Sequence, residues 1–165
     1  MECDLNNMHY LDTGVFLEYF SSDLGNRHKG VVTLMKAAES EQIKVYTSAI
    51  TLAEVVYLRH PKTEDHKDYE KFDLFLENFF KLPYINIIEF DREIAKITRQ
   101  LVRKYSYSPS ADMIHLASAI RLKANYFNTT DMKLINKFPE KSFSLPNSNK
   151  VIIQEPQLEG QTSLF

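Results

Sequence analysis

Four acids stand in surroundings where acids are uncommon: Asp12, Glu54, Asp112 and Asp131. Asp12 closes the apolar run Met8-His-Tyr-Leu11, and Asp131 follows Tyr126-Phe127 and Asn128-Thr129-Thr130. Glu54 is the sole charge between Ser48 and Arg59, flanked by Leu52, Ala53, Val55 and Val56. Asp112 comes just after Ser108-Pro109, which reads as an N-cap and first helical turn. A carboxylate in such a setting needs a cation, a metal or contact with water. Gathered in one pocket, the four would repel unless a divalent cation neutralised them. Hard oxygen donors suit Mg²⁺ or Mn²⁺, and such an ion can polarise a phosphoryl oxygen and activate water. The hydroxyls beside them, Thr13, Thr129 and Thr130, would support the acids or a phosphate oxygen.

Whether the acids meet depends on the elements that carry them. Residues 8–12, 43–46, 84–88 and 126–127 read as short strands, with 151–153 as a last edge strand. Residues 13–20, 30–40, 49–60, 69–82, 91–105 and 132–137 read as helices, with another after Ser108. Ser48 caps the helix of Glu54, which the pattern carries on to His60 before Pro61. Residues 62–68 and 140–149 read as loops. Strand and helix alternate without repeats, which argues for a mostly parallel sheet covered on both faces. In such a sheet, strand C-termini and the starts of the following helices share one rim. Asp12, Asp112 and Asp131 would stand on it, and Glu54 would reach inward from its helix.

The motifs resemble those of PIN-domain ribonucleases of the VapC toxin type. Tyr10-Leu11-Asp12-Thr13 matches that family's strand ending in Asp-Thr, and Thr51-Leu-Ala-Glu54-Val55 its Ser/Thr-x-x-Glu-Val core. Asp112-Met-Ile-His-Leu-Ala117 matches an Asp-Ala-Leu-His-Leu-Ala-like helix, and Thr129-Thr-Asp131 a Thr-x-Asp after the next strand. The likeness covers roughly residues 8–137, in order and spacing, with one departure: Gly14 stands where many members carry Asn.

The resemblance implies a three-layer α/β/α PIN-like fold. Residues 1–153 would form a single domain and 154–165 a flexible or partner-binding tail. It implies a metal-dependent endoribonuclease, the toxin of a toxin–antitoxin pair, with Asp12, Glu54, Asp112 and Asp131 binding Mg²⁺ or Mn²⁺. An RNA substrate, a cognate antitoxin and a homodimer are the implied partners. The alternatives are a PIN-like module that binds RNA or protein without cutting, and a PIN nuclease in RNA processing or DNA repair.

Composition bounds these readings. With 165 residues, 44% of them hydrophobic, the chain can bury one substantial core. A net charge of −2 argues against a broadly basic nucleic-acid coat but allows a local basic track. Arg92, Lys96, Arg99 and Arg103 share one face of their helix and could guide an RNA backbone. Their plainer reading is a solvated face. His115 could face the pocket or donate to a carboxylate, but reads first as structural. The Phe-rich helix 69–80 reads as core or as a dimer or partner face.

Asp12-Thr13-Gly14 also spells the aspartic-protease triplet. That chemistry needs a second such aspartate, and the triplet here opens a helix without a second copy. Cys3 is the single cysteine, four glycines leave no phosphate-cradling loop, and no apolar run is long enough to span a membrane. These features are expected of a cytoplasmic protein. The terminal Gln161-Thr-Ser-Leu-Phe165 resembles peptides that dock on sliding clamps, though a disordered tail is the plainer reading.

Overall fold

A computed structural model describes residues 7–21, 25–56, 69–108, 110–138 and 140–158. The sequence-based readings at 57–68, Pro109, Pro139 and 159–165 lie outside them. The chain runs β1 (Met8–Leu11), α1 (Thr13–Tyr19), α2 (Asn26–Glu39), β2 (Lys44–Ser48), α3 (Ala49–Glu54) and α4 (Tyr69–Phe79). It continues through β3 (Ile85–Ile88), α5 (Arg92–Tyr105), α6 (Ala111–Leu122), β4 (Tyr126–Asn128) and α7 (Met132–Lys137). Two strands close it, β5 (Ser142–Phe143) and β6 (Val151–Gln154).

The strands form one sheet in the order β3-β2-β1-β4-β6-β5, parallel except where β5 meets β6. Successive strand residues point to opposite faces, and each face carries its own core. Tyr10, Phe127, Val151 and Ile153 pack with Ile94 and Leu101 of α5, Met113, Leu116 and Ile120 of α6, and Leu134 of α7. Leu11, Val45 and Ile85 pack on the other side with Val15 and Phe16 of α1, Leu34 of α2, and Leu76 and Phe79 of α4. The mostly parallel, three-layer architecture expected from the alternation is the one observed. Among the described residues, no helix is long and apolar enough to cross a membrane.

Three local expectations are corrected. The helix of Glu54 stops at that residue, because Val55 leaves helical backbone at φ −79°, ψ 75° and turns its side chain into the core. The cap of α6 is Ser110 in extended backbone, not Ser108; its carbonyl takes the Ile114 N–H at 3.3 Å. The loop expected at 140–149 contains β5, which makes β5 rather than β6 the sheet edge on that side. Gln154 completes β6, and Leu158 packs against the α1/α2 core.

Candidate functional site

Asp12 leaves β1 and caps α1, its Oδ1 accepting the Val15 N–H at 3.2 Å. Asp131 follows β4 and caps α7, its Oδ1 accepting from Lys133 N at 2.8 Å and Leu134 N at 3.2 Å. Both acids thus hold one oxygen on backbone donors, which fixes the carboxylate plane. Glu54 is the last residue of α3, the helix that follows β2, and Asp112 lies in the first turn of α6. Because β2, β1 and β4 are adjacent and parallel, these ends meet at one rim. There Asp12, Glu54, Asp112 and Asp131 line a single cleft of ≈ 610 Å³ with Thr13, Gly14, Thr130 and Arg27.

The threonines tie the acids to one another. Buried Thr129 accepts the Asp131 N–H at 3.0 Å and donates to the Asp12 carboxylate. The Thr13 hydroxyl donates to Glu54 Oε2. Thr130 lies against Gly14, where a Cβ would collide with its hydroxyl, so Thr130 fills the space a side chain at position 14 would need. Gly14→Ala should therefore displace Thr130 and cost about 1–2 kcal/mol, as overpacking does. Thr130→Ala in the same chain should restore the urea midpoint. If Gly14→Ala unfolds at the wild-type midpoint, the clash is relieved by a free rotation of Thr130.

His115 is the residue whose place the sequence understates. It is 2% exposed, its Nδ1 lies 2.7 Å from the Tyr10 hydroxyl and its Nε2 2.9 Å from Glu54 Oε2. An ionised Glu54 can only accept, so Nε2 carries the proton and Nδ1 accepts from Tyr10. The order is Tyr10 to His115 to Glu54, with Thr13 as Glu54's second donor. Burial keeps the Tyr10 hydroxyl protonated, its pKa raised far above the ordinary value. A signal for this was present: a histidine on the inward side of the Asp112 helix, among Leu116, Ala117 and Ile120.

The acids divide by environment. The hydrogen bond from His115, with that from Thr13, holds Glu54 below its ordinary pKa. Burial pushes Asp12 up to about 6, against the pull of Thr129, and nearby Asp112 adds to the rise. Burial raises Asp112 too, followed by the charge of Asp131. Asp12 and Asp112 are thus short of positive charge, as a cation-binding site would be before its cation arrives. Arg92, Lys96, Arg99 and Arg103 are exposed on α5, with Lys96 3.8 Å from Glu93, and none of them lines this cleft.

A model of the PIN domain matches residues 9–140, spanning all four acids. The chain belongs to the PIN domain family. Its fold is shared by FitAcB from Neisseria gonorrhoeae, at TM-score 0.62 and 24% identity, over 90% of this chain and 98% of that one. VapBC2 from Rickettsia felis, solved bound to a DNA fragment from its promoter, matches at TM-score 0.59 and 17% identity, over 90% and 98%. VapC20 of Mycobacterium tuberculosis, described as a sarcin–ricin loop cleaving toxin, matches at TM-score 0.55 and 14% identity, over 75% and 90%. No curated protein matches the chain by sequence. In this PIN domain, the Asp-Thr of β1 and the Thr-Thr-Asp after β4 sit side by side because β1 and β4 are paired.

Proposed function

We propose that this PIN domain is a divalent-metal-dependent endoribonuclease, the toxin of a toxin–antitoxin pair, acting in the cytoplasm. The observation that carries the reading is the gathering of Asp12, Glu54, Asp112 and Asp131 on one cleft, two of them with carboxyls raised by burial and by neighbouring acids. The donor set fits Mg²⁺ or Mn²⁺ in its hydrated form. No three acid or histidine side chains among the described residues close into a metal cage. Mg²⁺ is commonly held by one or two carboxylates and keeps several waters. Asp12, Asp112 and Asp131, with Glu54 beside them, would hold the ion. When bound, it supplies Lewis acidity at the phosphoryl oxygen and a water of lowered pKa.

The chain's own part is orientation. Backbone donors fix Asp12 and Asp131, and His115 and Thr13 hold Glu54, so the acids need little rearrangement when RNA arrives. The antitoxin is the proposed protein partner, a reading supported by the fold shared with VapBC2. Leu52 and Val56 near the end of α3, and Leu74 and Phe75 on α4, leave exposed apolar surface for it or for a second copy of the chain. Leu76 and Phe79 of the same α4 are core, so that helix carries one buried and one exposed apolar face.

The test is cleavage of a labelled, partly structured RNA by wild type and Asp112→Asn, each with Mn²⁺, Mg²⁺ or EDTA. Cutting should require metal and disappear in the variant. Equal cutting by both proteins would overturn the site, and RNA binding without cutting would make the domain a binding module.

A further inference from the structure

The cleft that is to take RNA is strongly acidic: Asp12, Glu18, Glu54, Asp112 and Asp131 all line it. RNA brings more negative charge, so a side chain cation at the rim has to meet a phosphate. Among the described residues, Arg27 is the one arginine or lysine in the lining. It lies in the first turn of α2, and the residues that follow it are held in place. The His28 ring bonds the Glu18 carbonyl at 2.9 Å, and Gly30 packs so closely on the Pro156 carbonyl that a Cβ would collide with it.

The Arg27 side chain is already engaged, by an anion. Its Nε and Nη2 both donate to Glu155 Oε1, each at 3.2 Å. One carboxylate oxygen thus takes the guanidinium edge that a phosphodiester would occupy with two. Glu155 cannot follow Arg27 far, because the residues around it are seated. Gln154 bonds Asn128 Oδ1 at 3.1 Å, Pro156 rests on Gly30, and Leu158 packs into the core. The pair is exposed, at 41% and 47% of side-chain surface, and exposed pairs give way readily to a better anion.

We propose that Arg27 grips an RNA phosphate at the mouth of the cleft, and that Glu155 is its built-in competitor, occupying the guanidinium until RNA displaces it. This rests on the RNA-cleft reading above. The C-terminal segment would then restrain the affinity of the site as well as completing the sheet. Removing the competitor should have the opposite effect to removing the grip.

Binding of a short fluorescein-labelled single-stranded RNA of mixed sequence, followed by anisotropy with Ca²⁺ in place of Mg²⁺, tests this apart from cleavage. Arg27→Ala should weaken binding about tenfold and lower the salt slope by about one phosphate. Glu155→Gln should tighten it about threefold, and the double variant should bind like Arg27→Ala, since Glu155 acts through Arg27. Thermal melts check that all three remain folded, as exposed substitutions should. Wild-type binding by Arg27→Ala overturns the proposal. So does equal tightening by Glu155→Gln with and without Arg27, which would mean that Glu155 repels RNA merely as one more negative charge. If these changes occur as stated while Asp112→Asn and wild type are equally inert, the phosphate grip stands and the nuclease reading falls.

Discussion

Asp12→Asn is expected to abolish cleavage and, in the same protein, to raise stability when metal is absent. The loss of activity should be on the order of a thousandfold, since a metal-holding carboxylate contributes several kcal/mol to the transition state. Asparagine keeps the cap, because its side-chain oxygen can still accept the Val15 N–H that Asp12 Oδ1 accepts at 3.2 Å. What disappears is a buried charge. Burial pushes the Asp12 carboxyl up to about 6, so the folded chain holds this proton more tightly than the unfolded one.

The sign follows directly. A raised carboxyl pKa means that the ionised form is disfavoured by folding. Its cost is absent below the unfolded value of about 3.9, grows as pH rises toward about 6 and is complete above that. Two pKa units correspond to about 3 kcal/mol. In EDTA, wild type should therefore lose stability between about pH 4 and about pH 6 through this group, and burial-raised Asp112 acts in the same direction. Asp12→Asn should flatten that slope and melt higher at neutral pH. Adding Mn²⁺ should raise the wild-type melting temperature and leave the variant's nearly unchanged. Parallel pH slopes for the two proteins in EDTA would sink the argument.

Asp12, Glu54 and Asp131 were legible because each carries a local signal. Asp12 ends an apolar run, Asp131 follows one, and Glu54 interrupts one. Their convergence needed only the parallel sheet, which the alternation of strand and helix supplied. Features set by long-range packing were not legible. The helical pattern of α3 runs on through Val55, yet the backbone turns off there because the core beneath the sheet takes that side chain. The two residues of β5 are too few to leave a period. Arg27 lies ahead of the helix the pattern places at 30–40, 128 positions from Glu155, and no spacing in the sequence joins it to the acids. The basic stripe of α5 had the clearer pattern, but it lies away from the cleft lining.

His115→Ala should be the most damaging single change that leaves every acid in place. The ring is buried and links two groups of the site: the Tyr10 hydroxyl at 2.7 Å and Glu54 Oε2 at 2.9 Å. Truncation leaves a cavity and strips the Tyr10 hydroxyl of its ring partner, which together cost about 3 kcal/mol. Glu54 would keep the Thr13 hydroxyl but lose its principal donor, so its carboxylate should swing and its pKa should return toward the ordinary value. Cleavage should fall about tenfold even where the protein is fully folded, because a misplaced carboxylate weakens orientation. His115→Gln can donate to Glu54 and accept from Tyr10 at once, and it should recover part of both losses. Tyr10→Phe removes the far end of the chain and should cost about 1 kcal/mol while leaving Glu54 with both donors. Urea midpoints at constant slope, measured with cleavage rates, separate the two effects. If folded His115→Ala cleaves at the wild-type rate, His115 only fills space and Glu54 needs no help from it.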